Sequence, residues 1–225
     1  MSLEVFAEDV WTVTRPQRFL GVECGTRMTV VRLASGDLFV HSPVPLDDAL
    51  SSDLRALGEV RVILAPSLFH HLSVPQWAAA YPKALLTCCP GLVRKRPDVH
   101  FHRALGDAPE PEWRHDLEQV HFSARTMESE IVLFHGKSRT LVCADAIFNF
   151  STHPSRLTRV VARLLGNTTP GVTWLEPLMM RDRPTARAQL DRMLAWDPVR
   201  LAIAHGEPVR SEGKRVLAEA YAWIR

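Results

Sequence analysis

Residues 60–73 read Val60-Arg61-Val62-Ile63-Leu64-Ala65-Pro66-Ser67-Leu68-Phe69-His70-His71-Leu72-Ser73. After Arg61 the run to Ala65 is nearly continuously apolar, the pattern of a strand buried on both faces. Two histidines follow it almost at once, and a helix follows them. Ser73 with Gln76 three residues later fits a capping box, and Pro75 suits a first turn. Trp77 and Tyr81 share a face before Pro82 stops the helix, a spacing that suits core packing. A strand leading through a histidine pair into a helix is the unit from which the remaining sequence is read. In α/β sheets, ligand-binding residues gather beyond the carboxyl ends of strands.

Upstream, Val10 to Thr14 alternates, and Met28–Leu33 and Leu38–His41 flank a Ser35-Gly36-Asp37 turn, which predicts a hairpin. Asp47 and Asp48 open a helix with Leu50, Leu54 and Leu57 inward and Gly58 at its end. Downstream, Ala84–Thr87 is strand-like and residues 105–113 form a polar, Pro-rich surface loop. Glu130–Phe134 and Thr140–Ala144 flank the polar tip His135–Arg139 as a second hairpin. Pro154–Leu165 is expected to be a helix with an apolar stripe at Leu157, Val160, Val161 and Leu164 and Gly166 as its stop. A helix over Asp182–Trp196, a strand over Val199–Ala204 and a helix over Gly213–Ile224 close the chain. Two β-rich halves, each followed by helices, predict an α/β (α+β) fold, a four-layer αββα sandwich, as one domain over residues 1–225.

Composition narrows the function classes. The chain has 225 residues, 27 Lys+Arg against 25 Asp+Glu, and 46% hydrophobic residues, which excludes disorder and binding of polyanions through bulk charge. No apolar run reaches the ~18–20 residues of a membrane span, and the acidic start is unlike a signal peptide. Cys24, Cys88, Cys89 and Cys143 form no C-x-x-C pair or disulfide framework and are expected as reduced thiols of a cytoplasmic protein. Neither nucleic acid nor membrane is expected as a partner; a small molecule is.

The ten histidines separate by position. His70 and His71 follow the strand Val60–Ala65, Asp145 follows Thr140–Ala144, and His205 follows Val199–Ala204. Three strand ends thus deliver a His/His/Asp/His set, the usual ligands of Zn²⁺ or of a first-row relative such as Fe or Mn. Glu130 pairs near Ala144 and is a fifth ligand, a partner of the ligands, a general base or an exposed strand residue. His41 follows a strand and approaches the same region. His135, at the hairpin tip, lies roughly 15 Å from Asp145 at ~3.3 Å per residue and reads as a turn histidine. His100, His102, His115, His121 and His153 read as solvated. Arg94-Lys95-Arg96 is a solvated charge run or a phosphate grip.

The phrases LASGDLFVHSPVPL (33–46), SLFHHLSVPQWAAAYP (67–82), EIVLFHGKSRTLVCADAIFN (130–149) and LAIAHGEPV (201–209) resemble a domain-of-unknown-function branch of the metallo-β-lactamase superfamily. That superfamily carries a His-x-His-x-Asp-His cluster serving two metals. Aligned on the last histidine, this chain has Pro66 and Leu68 at the first two positions, His70 in place of the aspartate and His71 at the end. Asp145 and His205 match the later aspartate and histidine. Where the superfamily has a further histidine, the chain has Ala124-Arg125-Thr126-Met127. The resemblance therefore implies one divalent metal, most simply zinc, held by His70, His71, Asp145 and His205. It implies a mononuclear hydrolase of a small ester, thioester or phosphoester with Glu130 as base, or a non-catalytic relative with a structural or empty site.

Overall fold

Backbone hydrogen bonding sorts the chain into two main sheets. The computed structural model describes residues 2–124 and 129–224. Its first half contains β1 (Glu4–Ala7), β2 (Val10–Arg15), the short hairpin β3 (Arg18–Phe19) and β4 (Val22–Glu23), β5 (Thr26–Arg32) and β6 (Leu38–His41). There follow α1 (Asp48–Leu57), β7 (Val60–Ala65), α2 (Val74–Ala80), β8 (Leu85–Cys88), α3 (Leu92–Lys95) and β9 (Arg103–Ala104). The second half contains β10 (Leu117–Phe122), β11 (Glu130–His135), β12 (Thr140–Asn149), α4 (Arg156–Leu164), α5 (Glu176–Met179), α6 (Arg183–Ala195), β13 (Arg200–Gly206) and α7 (Gly213–Ala220).

The larger sheet runs β1-β2-β5-β6-β7-β8-β9, antiparallel as far as β6 and parallel from β6 onward. The other runs β10-β11-β12-β13, with β12 and β13 parallel. Alternation along the strands sets the layers. Ile131, Leu133, Val142 and Ala202 face the first sheet and join its core with Leu50 and Leu54 of α1 and Val74 and Trp77 of α2. Val132, Phe134, Leu141, Cys143, Leu201 and Ile203 point the other way, onto Leu190 and Met193 of α6 and Leu217 of α7. Helices, sheet, sheet, helices is the αββα order that the sequence predicts.

Local chemistry explains most boundaries. The Asp47 carboxylate accepts the Leu50 N–H at 2.8 Å and caps α1, and the Gly58 N–H donates to Leu54 at its end. The expected capping box at α2 is absent: Ser73 makes no side-chain cap, and Gln76 instead clasps the backbone of Leu46 through both amide atoms. Trp77 is buried and donates its indole N–H to Val44. All four cysteines are free, and burial pushes the Cys88 and Cys89 thiols up to about 12.

Helix α4 departs from expectation. Thr158 and Ala162 are its buried positions, while Leu157, Val160 and Leu164 face solvent. The helix rests on the β3–β4 hairpin, where Thr158 Oγ1 donates to the Glu23 carbonyl at 2.6 Å, so a polar anchor decides its rotation.

Candidate metal centre

Strand β7 leaves the first sheet at Ala65, and its continuation is sewn to the second sheet: the Ile131 N–H donates to Pro66, and Ser67 bridges to Glu130. This stitch brings the histidine pair over the carboxyl ends of β12 and β13. His70 Nε2 then lies 3.1 Å from His205 Nε2 and 3.3 Å from Asp145 Oδ1, and His205 Nε2 is 3.4 Å from the same oxygen. Among the described residues these three form the one group whose ligand atoms converge closely enough to share an ion.

The outer atoms decide what the inner ones can do. His205 Nδ1 is 2.7 Å from the Gly25 carbonyl, which can only accept, so Nδ1 carries a proton and Nε2 is the nitrogen turned toward the cluster. His70 Nδ1 is 2.6 Å from Ser42 Oγ, a hydroxyl that can donate or accept, so this contact orients the ring and turns Nε2 inward. Asp145 Oδ2 accepts from Ser67 Oγ at 3.0 Å, while Ser67 Oγ itself accepts the N–H groups of Phe69 and His70. Burial alone would raise the Asp145 carboxyl, but the charges and hydrogen bonds of His70 and His205 outweigh it and hold it well below the ordinary range. Burial would lower His205; Asp145 and the neighbouring Cys24 reverse this and raise it to about 10. In the metal-free chain the raised His205 carries a proton on Nε2, facing Asp145 Oδ1 and His70 Nε2. With that proton displaced, two imidazole nitrogens and a carboxylate oxygen converge, a donor set that fits a divalent ion.

His71 is not brought to the cluster. It turns toward α3, where Arg96 donates to its Nδ1 at 2.8 Å, leaving the neutral ring's proton on the other nitrogen. Burial, then the charges of Lys95 and Arg96, lower its pKa. The structure commits His70 inward and holds His71 on Arg96, outside the converging group. The Arg94–Arg96 run serves this arrangement: Arg96 also pairs with Asp98, and Lys95 donates to the Leu68 carbonyl over the Phe69 ring.

Glu130 is fully buried, and its role follows from a bulge. The β12–β13 register shifts between Cys143 and Phe148, which takes Asp145 out of the regular ladder. The Glu130 carboxylate accepts the N–H groups of Ala144 at 3.1 Å and Asp145 at 2.7 Å. It fixes the backbone of a ligand and is a positioning residue here, with neither oxygen among the converging ligand atoms.

The other histidines fall where their surroundings send them. His41 is buried behind the cluster with an unpartnered Nε2; burial, then the charge of His70, lowers its pKa to about 3. His135 is at the hairpin tip as expected but buried, its Nδ1 2.8 Å from Ser138 Oγ. His100, His102 and His115 are exposed, and His121 and His153 are half-buried. Of the turn Ala124–Met127, only Ala124 lies within the described residues.

Three supporting residues carried no sequence signal. Arg27 is buried and donates one guanidinium nitrogen to the carbonyls of Ile203 and Gly206, at 2.8 and 2.7 Å, bracketing His205. Ser42 and Ser67 orient His70 and Asp145. Each looks ordinary in sequence because its partner lies 28 to 179 positions away.

A cavity of about 410 Å³ lies elsewhere, at the β11–β12 hairpin end, lined by Asp9, Arg32, His135 and Lys137 among others. Over the metal centre, Phe148 and Phe150 lean on the His205 ring at 5.9 and 6.5 Å between centroids.

Residues 7–93, less than half of the chain, match a family model described as a domain of unknown function (DUF4336). No curated protein matches the sequence. Among solved structures, DIM-1 metallo-β-lactamase is similar at a TM-score of 0.66 and 13% identity, over 99% of this chain and 97% of that one. A metallo-β-lactamase from Erythrobacter litoralis gives 0.67 and 12%, over 98% and 96%. FIM-1 from Pseudomonas aeruginosa in its mono-zinc form gives 0.64 and 11%, over 98% and 94%. Identities this low establish architecture alone, and nearly the whole chain is accordingly a divergent metallo-β-lactamase fold.

Proposed function

We propose that the protein is a metal-dependent hydrolase with a mononuclear centre formed by His70, Asp145 and His205. The convergence of two imidazole nitrogens and one carboxylate oxygen within 3.1–3.4 Å carries this reading. A zinc ion, or Fe or Mn in its place, would supply Lewis acidity toward water and toward the carbonyl or phosphoryl oxygen of a small ester, thioester or phosphoester. The chain's own part is preparation. Gly25 and Ser42 hold the outer nitrogens of His205 and His70, so both rings present Nε2 inward. Ser67 and Glu130 fix Asp145, and Phe148 and Phe150 shield one side of His205. Three protein ligands leave room for water and substrate, the pattern of catalytic rather than structural zinc.

A second reading has its own support. The side chains of His70, Asp145 and His205 are only 4%, 8% and 9% exposed, and a cavity of about 410 Å³ lies away from them, at the β11–β12 hairpin end. A metal there would tie β7, β12 and β13 together without turnover. One experiment separates the readings: chelated protein is reloaded with zinc and assayed on ester, thioester and phosphodiester panels beside Asp145→Asn. Turnover that returns with zinc and is absent from the variant supports the hydrolase. Stoichiometric zinc with no turnover on any panel supports the structural site.

A further inference from the structure

Helix α4 presents its apolar side to solvent. Leu157, Val160 and Leu164 are 56%, 50% and 73% exposed and fall on one side of the helix over about 10 Å of its length. The chain extends this strip beyond the helix end. Trp174, 58% exposed, donates its indole N–H to the Leu164 carbonyl at 2.8 Å and packs against Gly166, and Leu178, 77% exposed, follows in α5. Scattered exposed apolar residues need no explanation, but three on one helix side with an adjoining tryptophan mark an interaction surface.

The charge beside the strip indicates what it meets. Arg156, Arg159 and Arg163 lie along one flank of α4, and among the described residues none has a carboxylate partner. Arg159 donates instead to the carbonyls of His153 and Pro154. The sequence contains no acidic residue between Asp145 and Glu176, so the segment that carries the strip offers basic side chains and no carboxylate of its own. A two-fold contact with a second copy would bring two such arginine flanks together with nothing to neutralise them. A basic amphipathic helix with an exposed tryptophan suits an anionic, partly wet boundary, where arginine stems bury and their heads reach phosphate.

We propose that α4 and the Trp174 loop bind an anionic lipid surface. Leu157, Val160, Leu164 and Trp174 enter the headgroup region, and Arg156, Arg159 and Arg163 meet the lipid phosphates. The expectation of no membrane partner rested on spanning segments. Among the described residues no helix is long and apolar enough to cross a membrane, and a helix lying on the surface needs no such length. The inference does not depend on the metal centre.

Flotation of the full chain with phosphatidylcholine vesicles, with and without phosphatidylserine, tests it. The protein should partition about tenfold more strongly onto the serine-lipid vesicles and come off as salt rises. Leu157→Ser/Leu164→Ser and, separately, Arg156→Gln/Arg163→Gln should each lower binding about tenfold. Their thermal unfolding should stay unchanged, because all four positions are exposed. No partition at low salt, or partition that survives both double variants, overturns the proposal. A dimer in sedimentation equilibrium that Leu164→Ser dissolves, without vesicle binding, also overturns it and gives the strip to a second copy.

Discussion

Glu130 carries a fully buried carboxylate whose oxygens accept the N–H groups of Ala144 and Asp145. Glu130→Gln turns an NH₂ toward one of these donors, so a backbone bond is lost where water cannot replace it. The expected cost is about 1–3 kcal/mol in urea unfolding. Metal affinity should fall by roughly 10- to 100-fold in competition titrations, because a ligand loses its support. Unchanged stability and metal affinity with abolished turnover would instead make Glu130 a base. The same logic separates neighbours. His70 points inward because Ser42 and the Ser67 turn hold it, while His71 is held by Arg96. Nothing in two consecutive histidine letters distinguishes them, and four-ligand coordination was the natural expectation from residue types alone.

At the scale of elements, β12 and β13 must approach closely for Asp145 and His205 to meet. Gly206 permits this: its φ is +79°, and a Cβ there would stand 1.8 Å from the Asn149 carbonyl oxygen. Gly206→Ala should therefore cost at least about 2 kcal/mol and weaken metal binding in the same preparation, read by thermal unfolding and titration. Retained stability with intact metal binding would show that the strands have slack. Elements fixed by local pattern were legible in sequence: β7 from its apolar run, α1 from the Asp47 cap and its leucines, both hairpins from their turns. Elements fixed by distant partners were not. Helix α4 is anchored by one hydroxyl meeting Glu23, 135 residues away, and the irregular stretch of β12 is held by Glu130. Strand ends located the site; tertiary hydrogen bonds chose which side chains enter it.

For the whole molecule, buried histidines set the acid limit of stability. Burial, with the nearby His70 charge, lowers His41 to about 3. Below the ordinary value of about 6.5 the unfolded chain binds a proton that the folded one refuses. Stability then falls with decreasing pH, by about 1.4 kcal/mol per unit for one such group. His71, His121 and His135 are lowered in the same direction, burial being the leading cause, and add to that slope. His205 acts on the other side: burial opposes but Asp145 and Cys24 raise it to about 10 in the metal-free chain. Its contribution is complete below about 6.5 and is lost as pH rises toward 10. Metal-free protein should be most stable near neutrality, and His41→Asn should flatten the acid limb in urea unfolding at stepped pH. An acid limb unchanged in that variant would place the titration elsewhere.

The most direct test of the account is zinc titration of chelated protein by calorimetry, with His70→Ala, His71→Ala, Asp145→Asn and His205→Ala in parallel. The three-residue centre predicts one zinc per chain, lost in the His70, Asp145 and His205 variants and retained within a few-fold in His71→Ala. Two zinc ions per chain, none at all, or loss in His71→Ala as complete as in Asp145→Asn would contradict it.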